Sequence, residues 1–372
     1  LCDVDDALTA KYGVRFPRAN TFADFRLMLD KMDNEIDAVL VTTPNHSHAT
    51  IAINAMKRGK HCYCEKPLAH SIHEVRAMKR VANEQKVVTQ MGTQNHAGEN
   101  YRRTVGLIQG GAIGGVKQVH VWVGRPGGWR RYKHVVDRPK EPQPIPKTLN
   151  WDLWVGPAPM QHFHPCYHPH DWHYWWDFGG GKLGNFGCHY MDLPFWALDL
   201  RHPISIEASG PPVLPESTPT TMTISFQFPA RGARPAGELI SPHGDPPDIL
   251  EQNGIPKQGA GVLFVGSKGF LLADYTKWQL WPEDKFADFE PPEATIPKSV
   301  GHHQEWINAC KTGSPTSCHF GHSGLISEAV MLGNVAYRTG ARLQWDAANF
   351  RVTNSPAADA LLTREYRAGW TL

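Results

Sequence analysis

Three short apolar runs separated by two amphipathic helical patterns constrain this chain more than any single motif does. Asp37-Ala38-Val39-Leu40-Val41 is short and apolar, as expected of a strand buried on both faces. Ala49, Ile51, Ala52, Ala55 and Met56 then recur at helical spacing, and Lys57-Arg58-Gly59 stops that helix with basic residues followed by glycine. A strand through Cys62, Tyr63 and Cys64 comes next. Ser71-Ile72-His73-Glu74 is a capping box for a second helix carrying Val75, Met78, Val81 and Ala82, and Val87-Val88-Thr89-Gln90 is a third strand. Strands that alternate with helices in this way build a doubly wound parallel sheet, whose ligands bind at the carboxyl ends of the strands.

The chain has 372 residues, enough for two ordinary cores. Its 38 basic and 36 acidic residues leave a formal charge of +2, and no basic run is interleaved with aromatics, so nucleic acid is not an expected partner. No apolar run approaches the roughly 20 residues of a membrane span. Seven cysteines scattered over the chain do not form a disulfide framework. Leu1-Cys2-Asp3-Val4-Asp5 resembles the end of a buried strand. The strand, glycine-rich turn and helix that would normally precede it are not in the sequence, and the one literal G-x-G-x-x-G, Gly179 to Gly184, follows an aromatic loop. A central strand cannot be removed from a sheet at a cost within the roughly 5–15 kcal/mol of domain stability, so the expectation is a sequence that lacks its natural start. Its compartment, bacterial cytoplasm or periplasm, is then not readable.

From about Val116 the pattern changes. Met222, Ile224, Phe226 and Phe228 alternate with polar residues as in a half-buried antiparallel strand, and Gly266-Ser267-Lys268-Gly269 joins two apolar runs as a hairpin. Stretches 137–149 and 229–259 are proline-rich and predict long irregular loops, and helical patterns return around 302–311 and 323–338. The expected architecture is an α/β domain over 1–118 and an α+β domain over 119–372 with a large, mostly antiparallel open sheet.

Four constellations carry chemistry. Glu65-Lys66-Pro67 ends the second strand, so it delivers an ammonium to the crevice with its backbone fixed by proline. Thr43-Pro44-Asn45-x-x-His48 ends the first strand and starts a helix whose amides and Asn side chain can face a nucleotide. Gly179 to Asp192 combines glycines, which allow close approach of a ligand, with a helix that sets His189 and Asp192 one turn apart. A histidine there can take a proton from a hydroxyl while hydride leaves the same carbon. Residues 162–177 hold five histidines, a cysteine and many aromatic rings. Their spacing does not match zinc patterns, whereas rings with polar tips suit a carbohydrate, with His170, Trp172 and Trp176 as expected substrate contacts.

Together these residues resemble the glucose–fructose oxidoreductase / inositol dehydrogenase / rhizopine catabolism (Gfo/Idh/MocA) family, as does the carboxyl end from Trp306 through Trp345-Asp346 to Tyr366-Arg367-x-Gly369-Trp370. The resemblance implies an amino-terminal Rossmann domain, NAD in preference to NADP, a sugar or cyclitol substrate, and a homo-oligomer, dimer or tetramer, formed through the open sheet. It implies that Lys66, His189, Asn185 and Asp192 are catalytic, that Lys66 also touches the nicotinamide ribose and, with His189 and Asp192, the substrate, and that Asp3 binds the adenosine ribose. Thr43, Pro44, Asn45, His48, Glu65, Gln94 and Tyr337 complete the cofactor set, and no metal is implied. The family has Asp where this chain has Asn185; an amide adds no charge to raise the pKa of His189, so a readily neutral histidine is expected. The main expectation is an NAD-dependent sugar oxidoreductase. Two rivals are a redox-neutral glycosidase or lyase, which would release aryl aglycones without net NADH, and an idle sugar-binding protein, which would hold no nucleotide.

Overall fold

The computed structural model of the protein describes residues 1–124, 131–132, 134–231 and 235–372. Helices α1 (Asp6–Arg15) and α2 (Phe25–Lys31) precede a parallel three-stranded sheet, β1 (Ala38–Val41), β2 (His61–Cys64) and β3 (Thr89–Met91), connected by α3 (Asn45–Lys57) and α4 (Ile72–Gln85). This is the Rossmann arrangement. After α5 (Glu99–Gln109), β4 (Val116–Val123) enters a second sheet. Short α6 (Trp151–Val155) and long α7 (Gly181–Ala197) then lead to β5 (Ser205–Ser209), β6 (Thr223–Phe228) and β7 (Gly237–Pro242). The one-turn α8 (Ile249–Gln252) precedes β8 (Ala260–Gly266), β9 (Gly269–Ala273) and β10 (Trp278–Trp281). The chain ends with α9 (His302–Thr312), α10 (Phe320–Thr339), β11 (Leu343–Asp346), β12 (Arg351–Val352) and α11 (Pro356–Ala360). The second sheet has nine strands in the order β10-β9-β8-β4-β7-β6-β5-β11-β12, antiparallel except for the β4–β7 pair.

Several expectations hold, and some change. The alternation in β6 buries every second residue, and the β8–β9 hairpin pairs Gly266 with Gly269. Leu40 is 52 % exposed between buried Val39 and Val41, so β1 is not covered on both faces. Residues 1–5 are not a strand of the parallel sheet: Cys2 makes a single bridge to Phe22 and Asp5 one to Leu149. The stretch 229–259 is not one irregular loop, since β7 and α8 lie within it; its prolines obscured the alternation that buries Leu239 and Ser241. Residues 232–234 of that stretch lie outside the described residues. No helix among the described residues is long and apolar enough to cross a membrane.

The exposed edge of β3 is closed by distant chain. Met91 N–H donates to the Cys318 carbonyl (2.9 Å), Thr316 Oγ1 donates to the Thr89 carbonyl (2.6 Å), and Phe320 N–H donates to Thr89 Oγ1 (3.1 Å). Residues between α9 and α10, with the first residue of α10, thereby cover edge groups that would otherwise invite another strand.

The capping box does more than start α4. Glu74 is fully buried; its Oε2 accepts from the Ser71 and His70 amides (3.0 and 2.9 Å). Its Oε1 accepts from Arg364 Nε (2.8 Å) and Tyr366 Oη (2.7 Å), anchoring the carboxyl-terminal segment. Ser71→Ala removes a single cap and should cost about 1 kcal/mol in urea unfolding. Glu74→Ala also strands the Arg364 charge and should cost about 3–5 kcal/mol; equal losses for the two variants would show that the carboxylate is no hub.

Candidate active site

Lys66 stands where β2 ends. Its Nζ donates to the Asn185 carbonyl oxygen (2.7 Å) and to Asn185 Oδ1 (2.6 Å), spanning from the parallel sheet to α7. Burial lowers its pKa, and the nearby Cys188 and Glu65 only partly offset this. An ammonium out of water is retained because two strong acceptors face it, each worth about 1.5–3 kcal/mol. Asn185 thus belongs to Lys66 as much as to the histidine one turn on.

His189 is held neutral. Burial first, then the Lys66 charge, push its pKa down to about 3, against a smaller upward pull from Asp192. Its Nδ1 is buried and has no partner among the described residues, while its backbone carbonyl accepts from Tyr101 Oη (3.2 Å). The ring is thus a neutral imidazole with an unused buried nitrogen that feels an ammonium, an arrangement chemically able to take up a proton.

Glu65 turns the other way. Its Oε1 accepts from Gln94 Nε2 (3.0 Å), which also lies 3.0 Å from Tyr63 Oη. A Cβ on Gly92 would come within 2.4 Å of Glu65 Oε2, so glycine is what leaves room for this carboxylate. Gln94 and Glu65 are therefore brought together as a pair.

A cleft of about 290 Å³ opens beside β1 and is lined by Asp3, Thr43, Pro44, Ser47, His168 and Trp172 among others. Thr43 Oγ1 is buried there without a partner among the described residues. Asp3 Oδ1 accepts from the Asp5 amide (2.9 Å), and burial raises its pKa. Two expected cofactor residues are placed elsewhere. Asn45 is buried beside Gly179, Gly180 and Trp176 around a cavity of only about 40 Å³. Tyr337 donates its hydroxyl to the Pro211 carbonyl (2.6 Å), far along α10 from the first residues of the crevice.

His48 has both ring nitrogens engaged by backbone carbonyls. Its Nδ1 lies 2.8 Å from the Pro67 carbonyl and its Nε2 2.7 Å from the Thr43 carbonyl, so one buried ring joins the turns after β1 and β2. Burial lowers its pKa, while both carbonyls oppose that, because only the imidazolium can donate to both.

The aromatic segment divides. Cys166, Tyr167 and Trp175 pack with Trp151 and Trp154 into a small core of their own, and Trp176 donates to the Leu214 carbonyl (3.0 Å). Trp172 and His173 stack at 3.6 Å, putting Trp172 on the cleft. His170 Nδ1 sits 3.0 Å from Asp171 Oδ1, whose second oxygen accepts from the Arg131 and Tyr132 amides. His173 escaped the sequence reading: it feels the Lys66 charge, and burial holds its pKa near 4. Nothing in its spacing sets it apart from the four other histidines of 162–173. Two glycines of the loop approach protein closely: a Cβ on Gly179 would meet the His173 backbone at 2.7 Å, and one on Gly181 (φ +64°) would meet Thr218 Oγ1 at 2.6 Å, whereas Gly184 has nothing within 4 Å.

Asp192 does not line the crevice beside Lys66. It is fully buried, and both its oxygens face histidines: His96 Nδ1 at 2.9 and 3.1 Å, and His322 Nε2 at 3.1 Å.

Because His48 ties two turns without facing the cleft, His48→Ala should lower unfolding free energy by about 1–3 kcal/mol. Unchanged stability with weakened nucleotide binding would instead make it a direct ligand.

Residues 4–93 match the model of an oxidoreductase family with an NAD-binding Rossmann fold (GFO_IDH_MocA), and residues 98–234 match the C-terminal alpha/beta domain of the same family. A levoglucosan dehydrogenase of Pseudarthrobacter phenanthrenivorans is 37 % identical over 120 residues, which are 31 % of this chain and 29 % of that protein. An inositol 2-dehydrogenase of Salmonella typhimurium is 27 % identical over 160 residues, 42 % of this chain and 44 % of that protein. The matched stretches thus span less than half the length of either relative. The WlbA dehydrogenase of Bordetella pertussis, solved with NADH and UDP-GlcNAcA, superposes with a TM-score of 0.62 at 18 % identity over 93 % of this chain and 89 % of that one. With both of its domain models matched and its fold shared, the chain belongs to the Gfo/Idh/MocA family of NAD-binding oxidoreductases.

Proposed function

We propose that the protein oxidises a secondary hydroxyl of a sugar or cyclitol, with Lys66 and His189 as its catalytic residues and NAD as its cofactor. The observation that carries this is the meeting of a desolvated ammonium with a neutral imidazole whose Nδ1 is unused. The dehydrogenase relatives named for levoglucosan and inositol support a polyol substrate.

The residues present fit a dinucleotide. Thr43 Oγ1 is an orphaned buried hydroxyl in the cleft, and Asp3 sets a carboxylate on the same wall, where ribose hydroxyls can donate to it. That carboxylate repels the additional phosphate of NADP, which supports NAD. When bound, the nicotinamide supplies the hydride acceptor. The chain does the rest. His189 accepts the hydroxyl proton at an imidazole nitrogen, Lys66 donates to the substrate oxygen as charge develops on it, and Asn185 holds the ammonium in place. The stacked Trp172 and His173 rings offer a face for the C–H surface of the substrate.

Lys66→Ala should lower kcat/KM by about 10²–10⁴-fold in a reduced-nicotinamide assay over a panel of sugars and cyclitols, with nucleotide binding retained. Activity that survives this change would overturn the assignment. Asn185→Asp puts a carboxylate beside both cationic forms and raises both pKa values. His189 works as a base only above its own pKa, so the acid limb of the pH–rate profile should move to higher pH, and the alkaline limb set by Lys66 should move the same way. An unmoved profile would show that residue 185 is uncoupled from the chemistry.

A further inference from the structure

Among the described residues the mechanism leaves buried titratable clusters unused, and in one of them two histidines share a carboxylate. His96, on the 3₁₀ turn after β3, Asp192 on α7 and His322 in the first turn of α10 meet with their ligand atoms all within 4.8 Å of one another. We propose that these three residues bind a single divalent transition-metal ion of the zinc class through His96 Nδ1, the Asp192 carboxylate and His322 Nε2.

Geometry supports this directly. A metal held at about 2.0–2.2 Å by nitrogen and oxygen needs ligand atoms roughly 3.4 Å apart. Here His96 Nδ1 lies 2.9 and 3.1 Å from the two Asp192 oxygens, and His322 Nε2 lies 3.1 Å from Oδ1. These three separations fall a few tenths of an ångström short of that spacing, and all the ligand atoms lie within 4.8 Å of one another. The first two ligands are rigidly placed: Trp196 stacks on the His96 ring at 3.8 Å and 11°, and Asp192 sits on a long helix packed against α10. The His322 side chain is 20 % exposed and gives the ion a way in.

Charge supports it independently. Asp192 is fully buried, and its ion-pair partners among the described residues are these two histidines. A fully buried carboxylate needs a positive partner, and a divalent ion held by both rings supplies one. Two imidazoles and one carboxylate select zinc, iron, cobalt or manganese over magnesium or calcium, which take oxygen ligands. Binding needs His96 protonated on Nε2 and His322 on Nδ1, so that each presents a lone pair. The histidines of 162–173 form no comparable cluster among the described residues.

The test uses the untagged full chain, stripped with chelator and dialysed against Co²⁺. The proposal expects about one equivalent bound, visible d–d absorption, a raised Tm with Zn²⁺, and affinity cut by at least about 10–100-fold in His322→Gln. X-ray absorption of the wild-type Co²⁺ form should show two imidazoles and carboxylate oxygen, which decides the matter even where the variant does not fold. Folded wild type that takes up no Co²⁺, uptake that His322→Gln leaves intact, or a different coordination sphere would each overturn it. None of these readouts requires turnover, so failure here leaves the Lys66–His189 assignment standing, and the converse also holds.

Discussion

The site depends on keeping one ammonium out of water. Lys66 Nζ faces two oxygens of Asn185, and that contact crosses from the end of a parallel strand to the helix that carries His189. The same positive charge that the acceptors retain is what helps hold His189 neutral. Ammonium and imidazole are thus kept in different charge states by mutual repulsion and shared burial, with no carboxylate at position 185 to offset either.

Around this pair the protein spends several buried side chains on alignment. His48 ties the turn bearing Thr43 to the turn bearing Pro67 through one buried ring. Glu65 is set aside from its neighbour Lys66 by Gln94 and by the space that Gly92 leaves. Glu74 ties the start of α4 to Arg364 and Tyr366, so even the carboxyl-terminal segment braces the Rossmann layer.

Much of this was legible in the amino-acid sequence because it is local. The strand–helix alternation, the capping box, the lysine at a strand end and the histidine one turn after Asn185 all follow from spacing within a dozen residues. The rest is of another kind. His48, Asp192 and Tyr337 lie on the elements expected of them, yet their side chains bond Pro67 and Thr43, His96 with His322, and Pro211, most of them remote in sequence, and Asn45 is buried at a small cavity that Gly179 also lines. His173 was passed over for the opposite reason: one histidine among five is singled out only by its approach to Lys66. Leu40 shows the same limit, since a pattern of apolar residues tells which could be covered and not what covers them.

The closed edge of β3 bears on how a ligand reaches the crevice. Segments from between α9 and α10 are stitched to Thr89 and Met91 by backbone and side-chain hydrogen bonds. A hinge between the parallel sheet and the late helices would have to break those bonds together and bare a strand edge, which makes jaw-like opening an expensive motion. The crevice is accordingly braced along that edge, and for the polyol oxidation proposed above selection would rest on shape present before the substrate arrives.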